Sequence, residues 1–148
     1  MSRQTTDRVS RNELQRAAAF RTSLRQFLAR TNEVAASAGL TSQRYDLLLA
    51  IKTGNGETST VSELVKRLSL PQPAVTELVK RAEDAGLIER SVGEDRRVSV
   101  LRLSVTADER LMQAFVALRA ERRQLADAMG AVDASFRASL QLRDEPAR

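Results

Sequence analysis

Residues 72–85 combine an apolar helical stripe with a set of side chains that can form hydrogen bonds. The apolar residues of this segment are Val75, Leu78, Val79 and Ala82, spaced as i, i+3, i+4 and i+7, which predicts one buried helix face. On the opposite side of this helix and at its N-terminal end lie polar, charged and proline residues, namely Gln72, Pro73, Thr76, Glu77, Lys80 and Arg81. Glutamine pairs well with adenine, glutamate accepts from the cytosine amino group, and threonine suits several base edges. The two cations suit phosphates, so this pattern favours a nucleic-acid partner.

A second group of charged residues lies farther along the chain, at Asp95, Arg96 and Arg97. Strand-like residues flank it, so the group is predicted to lie at the tip of a β-hairpin. A guanidinium at such a tip can enter a narrow minor groove. We expect Asp95 to hold one arginine side chain in a bidentate ion pair.

The rest of the chain predicts the elements that position these two groups. A first helix is predicted over 12–38, and a second from a cap at Thr41 or Ser42 to the Gly54-Asn55-Gly56 turn. A third is predicted from a Thr60/Glu63 capping box to residue 68, and a fourth over 72–85. The last helical segment is predicted to start at a Thr106/Glu109 capping box and to break near Gly130. Residues 58–60 can form a short strand, and 87–92 and 98–105 a hairpin around the turn 93–96. Gly39 and Gly86 are predicted helix ends.

Two short helices joined by Ser69-Leu70-Pro71 have the spacing of a helix-turn-helix. A small core can fix the second of them at a constant angle; its predicted members are Leu64, Leu68, Val75, Leu78 and Val79. With the hairpin as a wing, the fold class is mainly α (α+β), a winged helix-turn-helix. A length of 148 residues fits a single domain.

Composition excludes several classes of function. The chain has no Cys and no His, which removes disulfides, Cys/His zinc sites and nucleophiles activated by histidine. We therefore expect no enzyme, no metal and no cofactor. No apolar run is long enough to span a bilayer and the N-terminal residues lack a secretory signal, so we expect a cytoplasmic protein without a membrane partner.

The net charge of +5 favours an anionic partner. However, residues 61–106 hold eight Lys and Arg against seven Asp and Glu, whereas residues 1–60 hold nine against five. The segment with the candidate groups is thus almost neutral in sum, and charge alone does not identify it.

The order and spacing of several motifs resemble the multiple antibiotic resistance regulator (MarR) family over nearly the whole chain. The matching residues are Leu40-Thr41-x-Gln43-x-x-x-Leu47-Leu48, Ser62-Glu63-Leu64, Val75-Thr76-x-Leu78-Val79-x-Arg81, Gly86-Leu87-Ile88-Glu89-Arg90, Asp95-Arg96-Arg97 and Leu103-Ser104. Three features depart from the family pattern: Pro71 replaces a Ser/Thr cap, the wing at 91–94 is about one residue short, and Ala107 replaces a glycine.

The resemblance implies a homodimeric transcriptional regulator, with dimerisation helices at 1–38 and 107–148 and a DNA-binding lobe at 41–105. It further implies a double-stranded, pseudo-palindromic operator, and repression that a small and often phenolic effector relieves. Carried over by position, the residues that touch DNA are Gln72, Pro73, Thr76, Lys80, Arg96 and Arg97. Apolar residues within 14–27 and 111–140, including Leu111, Leu118, Phe136 and Leu140, exceed what one small lobe can cover, which also favours a dimer.

Two other hypotheses remain. A winged-helix scaffold that binds protein without binding DNA agrees with the almost neutral lobe. The retained Asp95-Arg96-Arg97 tip and the polar side of 72–85 favour DNA instead. An enzyme lacks any candidate pair of nucleophile and base.

Overall fold

The computed structural model describes residues 9–141, with side chains as far as residue 134. Two compact units make up the chain: a core unit of Thr31–Leu118, and a helical unit formed by the described parts of Met1–Arg30 and Arg119–Arg148. Within the described range, no helix is both long and apolar enough to cross a membrane. The side chains of Phe136 and Leu140 lie outside the described residues.

Helices dominate the described residues, as predicted. The elements are α1 (Arg11–Ser37), α2 (Ser42–Lys52), β1 (Thr58–Ser59), α3 (Val61–Leu68), α4 (Gln72–Asp84), β2 (Ile88–Val92), β3 (Ser99–Leu103), α5 (Val105–Ala117) and α6 (Arg119–Gln141). The strands form one antiparallel sheet in the order β1-β3-β2. Its register pairs Ile88 with Leu103 and Val92 with Ser99. The mainly α winged helix-turn-helix prediction is confirmed.

Local capping explains where the first helices begin and end. The Thr41 side chain accepts the Arg44 N–H at the start of α2. The predicted capping box at the start of α3 is present, with Thr60 and Glu63 each bonding the other's backbone N–H. Gly39 and Gly86 follow α1 and α4 with φ of +75° and +73°, a conformation that glycine adopts without steric cost.

The connection from α2 to β1 requires a glycine for a different reason. A Cβ on Gly54 would lie 1.8 Å from the Thr58 carbonyl oxygen, so no larger residue fits without moving backbone. The turn then passes through a short 3-10 segment, Asn55–Glu57, before the strand begins. This turn brings β1 alongside β3, where Thr58 pairs with Arg102.

Two predictions about the C-terminal part of the chain are wrong. The second wing strand ends at Leu103 and α5 begins at Val105, because the Ser104 hydroxyl caps the helix by accepting the Ala107 N–H. The Thr106/Glu109 capping box is therefore not the start of this helix. The break falls at Leu118, which ends α5, and α6 continues through Gly130.

The core unit has one apolar cluster to which every helix from α2 to α5 contributes. Leu64, Val75, Leu78 and Val79 are buried in it and Leu68 packs against it, as predicted. The buried side of α5 contributes Leu111, and Leu118 follows at the end of this helix; the two leucines are 0% and 1% exposed. These two leucines are already covered within the core unit, so they cannot provide the surplus apolar surface that we expected them to offer a partner.

In the helical unit, α1 and α6 are joined by an ion pair. Arg30 Nε donates to Glu121 Oε1 at 3.0 Å. A hydrogen bond from the backbone N–H of Glu121, followed by this one from Arg30, lowers the pKa of the carboxyl. Phe27 and Leu125 are half-buried beside the pair. Several large apolar side chains of this unit remain exposed, namely Leu14, Leu24, Leu28 and Met129.

Candidate nucleic-acid interface

The apolar side of α4 fixes how this helix presents its polar side chains. Val75, Leu78, Val79 and Ala82 are buried in the core cluster. All six predicted polar-face residues of this helix are exposed: Gln72, Pro73, Thr76, Glu77, Lys80 and Arg81. The structure therefore brings these six residues together on the solvent side of one helix, as the spacing predicted.

The start of α4 differs from a capped helix. Pro71 occupies the N-cap position and provides no side-chain hydrogen bond, and Pro73 follows within the first turn. The predicted absence of a Ser/Thr cap is thus confirmed. Before this turn, the residue that follows α3 is Ser69, which has a φ of +53°, a conformation that few residues other than glycine adopt.

One cation on the polar side of α4 is engaged within the helix. Arg81 Nε donates to Glu77 Oε1 at 2.9 Å, one turn away. No ion pair involves Lys80 among the described residues. The side that faces solvent thus presents a lysine, a neutralised Glu/Arg pair and two uncharged polar side chains.

The wing is the hairpin of β2 and β3 with a tight turn over 93–98. Gly93 N–H donates to the Val98 carbonyl at 2.9 Å, and Val98 N–H donates to the Asp95 carbonyl at 2.9 Å. A Cβ on Gly93 would lie 3.0 Å from Val100 Cγ2, so glycine allows this close approach. Arg96 and Arg97 are exposed at the tip.

Asp95 does not hold a guanidinium as we predicted. Its Oδ1 accepts the backbone N–H of Arg97 at 3.1 Å, and the described residues contain no ion pair between Asp95 and either arginine. A short carboxylate can reach a backbone N–H two residues ahead with little loss of entropy, which is the geometry of an Asx-turn. Asp95 therefore shapes the turn and leaves both arginine side chains to solvent.

A brace that sequence reasoning missed joins the wing to α4. Arg90, on β2, donates through Nε to Glu83 Oε1 at 3.2 Å and also through Nη2. Hydrogen bonding to Glu83 raises the pKa of Arg90 above its usual value. Glu83 and Arg90 lie on either side of the turn at Gly86. Their opposite charges on the two sides of a predicted helix end are the sequence signal from which this ion pair could have been predicted.

Two further contacts fix the helices behind α4. Arg67, on α3, donates through Nη1 to the Ala50 carbonyl at 2.6 Å, near the end of α2. Lys52 Nζ lies 2.9 Å from Glu57 Oε2 and 2.8 Å from Asp108 Oδ1. These hydrogen bonds, with the one to Asp108 the stronger, raise the pKa of Lys52. The second contact ties α2 to the first turn of α5.

The described residues contain no group of three or more acidic side chains that could hold a metal ion. The polar side of α4 and the wing tip present exposed hydrogen-bond donors, acceptors and cations.

We predict that Asp95→Asn preserves the wing turn, whereas Asp95→Ala loosens it. An asparagine retains the side-chain oxygen that accepts the Arg97 N–H, and an alanine does not. Amide hydrogen exchange measured by NMR should therefore be faster at Arg97 by about 5- to 10-fold in Asp95→Ala, as for the loss of one weak hydrogen bond. Equal acceleration in both variants would mean that the charge of Asp95 matters, and not its acceptor.

Comparison with known proteins places this geometry in a family. Residues 38–98 match the model of the MarR family. The chain is 30% identical over 106 residues to the "Uncharacterized HTH-type transcriptional regulator YwoH" of Bacillus subtilis (strain 168), an alignment that covers 71% of this chain and 76% of the relative.

Solved structures agree in fold. AbsC, a MarR family transcriptional regulator from Streptomyces coelicolor, superposes with a TM-score of 0.70 at 19% identity, covering 93% of this chain and 98% of AbsC. A mutant of MarR from E. coli, complexed with operator DNA, gives a TM-score of 0.67 at 19% identity over 84% of this chain and 92% of that one. The chain therefore belongs to the MarR family and is a transcriptional regulator rather than an enzyme.

Proposed function

We propose that this regulator is a cytoplasmic homodimer that binds a pseudo-palindromic duplex operator and represses transcription until a small molecule releases it. In this proposal residues 41–105 form the DNA-binding lobe, and residues within 1–38 and 107–148 form the dimer. The DNA-contacting residues are those of the polar side of α4 and of the wing tip: Gln72, Pro73, Thr76, Glu77, Lys80, Arg81, Asp95, Arg96 and Arg97.

The observation that carries the proposal is the exposed polar side of α4, held by a buried apolar side. The major groove of B-DNA is about 12 Å wide and admits an α-helix. Gln72 and Thr76 lie in the first turns of α4, and the N-terminal residues of a recognition helix are the ones that contact base edges. Lys80 lies farther along, where a phosphate contact is expected.

The wing provides a second contact with the same duplex. Arg96 and Arg97 are exposed at the tip, and the Glu83/Arg90 brace ties the wing to α4. An arginine at the tip of a wing beside a helix in the major groove can enter the adjacent minor groove. The electrostatic potential there is most negative in narrow A·T-rich stretches. Asp95 contributes indirectly, by fixing the turn.

The DNA complex among the similar structures supports duplex DNA as the ligand. The E. coli MarR mutant was crystallised with operator DNA, and it shares the fold of this chain. Because the two sequences are only 19% identical, the base preference proposed for this chain is argued from its own side chains.

Exposed apolar side chains support a dimer. Leu24, Leu28 and Met129 are exposed on helices of the helical unit, and Met112 and Val116 are exposed on α5. Exposed apolar side chains of this kind, on each unit, favour burial against another copy. A twofold dimer would present two copies of α4, which is the reason for a pseudo-palindromic operator.

A cavity within the helical unit is a candidate site for the effector. It has a volume of about 230 Å³ and is lined by Ser23, Gln26, Phe27, Arg30, Glu121, Gln124 and Leu125. An aromatic ring can pack on Phe27 and Leu125, and a phenolate or carboxylate can bond to Arg30. The absence of cysteine excludes a thiol switch.

The alternative function is a scaffold that binds protein through the same surface. The almost neutral charge of residues 61–106 favours it. A scaffold of this kind would not discriminate between duplex sequences.

We predict that Leu28→Asp converts the dimer into a monomer. Leu28 is 51% exposed in the chain, so the substitution disturbs the chain's own packing less than it would at a buried leucine, and it places a charge in the proposed apolar interface. Loss of one buried leucine is worth roughly 1.5–3 kcal/mol, and the dissociation constant should rise more than about tenfold. Light scattering over a dilution series measures this change.

Gln15→Asp is the control, because it changes the charge of the same helix equally at an exposed polar position. A Leu28→Asp protein that remains dimeric at the concentrations where the parent is dimeric would contradict this arrangement of the interface.

We predict that the helix and wing variants change DNA binding in different ways. Gln72→Ala or Thr76→Ala should change which operator variants are preferred, by about 1–3 kcal/mol for the removal of one base contact. Arg97→Ala should weaken binding to all variants and reduce the salt slope by about one for each phosphate that the protein no longer neutralises. Arg96→Ala should behave in this way if its side chain enters the groove instead.

The measurement is a binding panel of single-base variants of a duplex selected from a random library. If both arginine variants bind as tightly as the parent, the wing does not contact DNA. If the parent binds no duplex in preference to others, the scaffold hypothesis replaces the proposed function.

A further inference from the structure

We propose that Glu77, held in place by Arg81, selects for a cytosine at one position in each half of the operator. This inference rests on the proposed function and extends it, because it assigns a base preference to a pair of side chains. Glu77 is the specificity-determining residue, and Arg81 is the residue that positions it.

The geometry of the pair is defined by one contact. Arg81 Nε donates to Glu77 Oε1 at 2.9 Å, and the two side chains are 66% and 56% exposed, respectively. At about 100° per residue, Glu77 lies roughly opposite Val75 on the helix. The carboxylate is therefore on the outermost part of α4, in the middle of the helix and in line with Lys80.

The pair contributes little to folding, because it is exposed and screened by solvent. Its consequence is to restrict the Glu77 side chain to conformations that keep Oε1 on Arg81. The second oxygen, Oε2, has no hydrogen bond within the described residues and remains available as an acceptor. The pair thus presents one oriented acceptor at the centre of the polar side.

Charge explains why a glutamate at this position needs its partner. A lone carboxylate that approaches a major groove is repelled by the phosphates on both sides. Arg81 neutralises it, and the terminal guanidinium nitrogens of Arg81 can bind a phosphate while Nε keeps hold of the carboxylate. A phosphate contact would then fix Arg81, and through it the position of Glu77.

The remaining carboxylate oxygen discriminates between bases because an ionised carboxylate is only an acceptor. Cytosine presents its N4 amino group as a donor in the major groove, whereas guanine presents N7 and O6 and thymine presents O4, which are acceptors. Guanine or thymine would place an acceptor against the carboxylate. Adenine provides a donor beside an acceptor and is expected to rank second.

Selection from a random duplex library tests this assignment. The proteins compared at one salt concentration are the parent, Glu77→Gln, Arg81→Met, the double variant Glu77→Gln/Arg81→Met, and Asp84→Asn. Asp84 is the matched control, since it is an exposed acidic residue of the same helix outside the proposed contacts. Its change to Asn removes the same charge as Glu77→Gln does. Thermal unfolding of each variant checks that the fold is retained.

The parent should enrich a cytosine at one position of each half-site. Glu77→Gln should lose roughly 5- to 150-fold of the preference for cytosine over guanine there, because an amide both donates and accepts. Asp84→Asn should bind all duplexes somewhat more tightly and enrich the same sequence as the parent. Arg81→Met should reduce the cytosine preference in the parent background and have no further effect on it in Glu77→Gln.

An unchanged consensus in Glu77→Gln would overturn this inference and leave the proposed function standing. A change of consensus in Asp84→Asn equal to that in Glu77→Gln would also overturn it, since the effect would then be one of bulk charge. A parent protein that enriches no sequence would overturn the proposed function and this inference with it.

Discussion

Burial of one side of α4 is the constraint on which the rest of the structure depends. Val75, Leu78 and Val79 are buried in the core cluster, which fixes the rotation of the helix about its axis. A rotation by one residue would move a charged side chain such as Glu77 toward the core, and burial of an unpaired charge costs several kcal/mol. The polar side of α4 is therefore directed to solvent by the packing on its other side.

The contacts around α4 extend this constraint to the wing. The Glu83/Arg90 brace joins α4 to β2, and Asp95 closes the turn that displays Arg96 and Arg97. Arg67 and Lys52 hold α3, α2 and α5 behind them. Two of the acidic residues that make the lobe almost neutral in sum, Glu83 and Asp95, are engaged in these contacts. The weak net charge of the lobe is for this reason compatible with exposed cations at the proposed DNA surface.

Local signals made much of this fold predictable from sequence. The Thr60/Glu63 capping box, the glycines after α1 and α4, and the apolar spacing of α4 each act within a few residues. Contacts between distant residues left no such signal, as with Arg67 and the Ala50 carbonyl, which are 17 residues apart. The two arginines next to Asp95 in the sequence suggested an ion pair, but the carboxylate of Asp95 accepts a backbone N–H instead. At the end of the wing, the Thr106/Glu109 pattern was misleading, because the Ser104 hydroxyl caps α5 instead.

The central claim is that the polar side of α4 and the wing together neutralise the phosphates of one duplex. The affinity of the parent protein for its selected duplex, measured by titration at 50 and 200 mM salt, tests it most directly. If the dimer contacts roughly six to ten phosphates, the affinity should fall about 10³- to 10⁵-fold between these concentrations. An affinity that does not change with salt, or that is the same for every duplex sequence, would contradict the account.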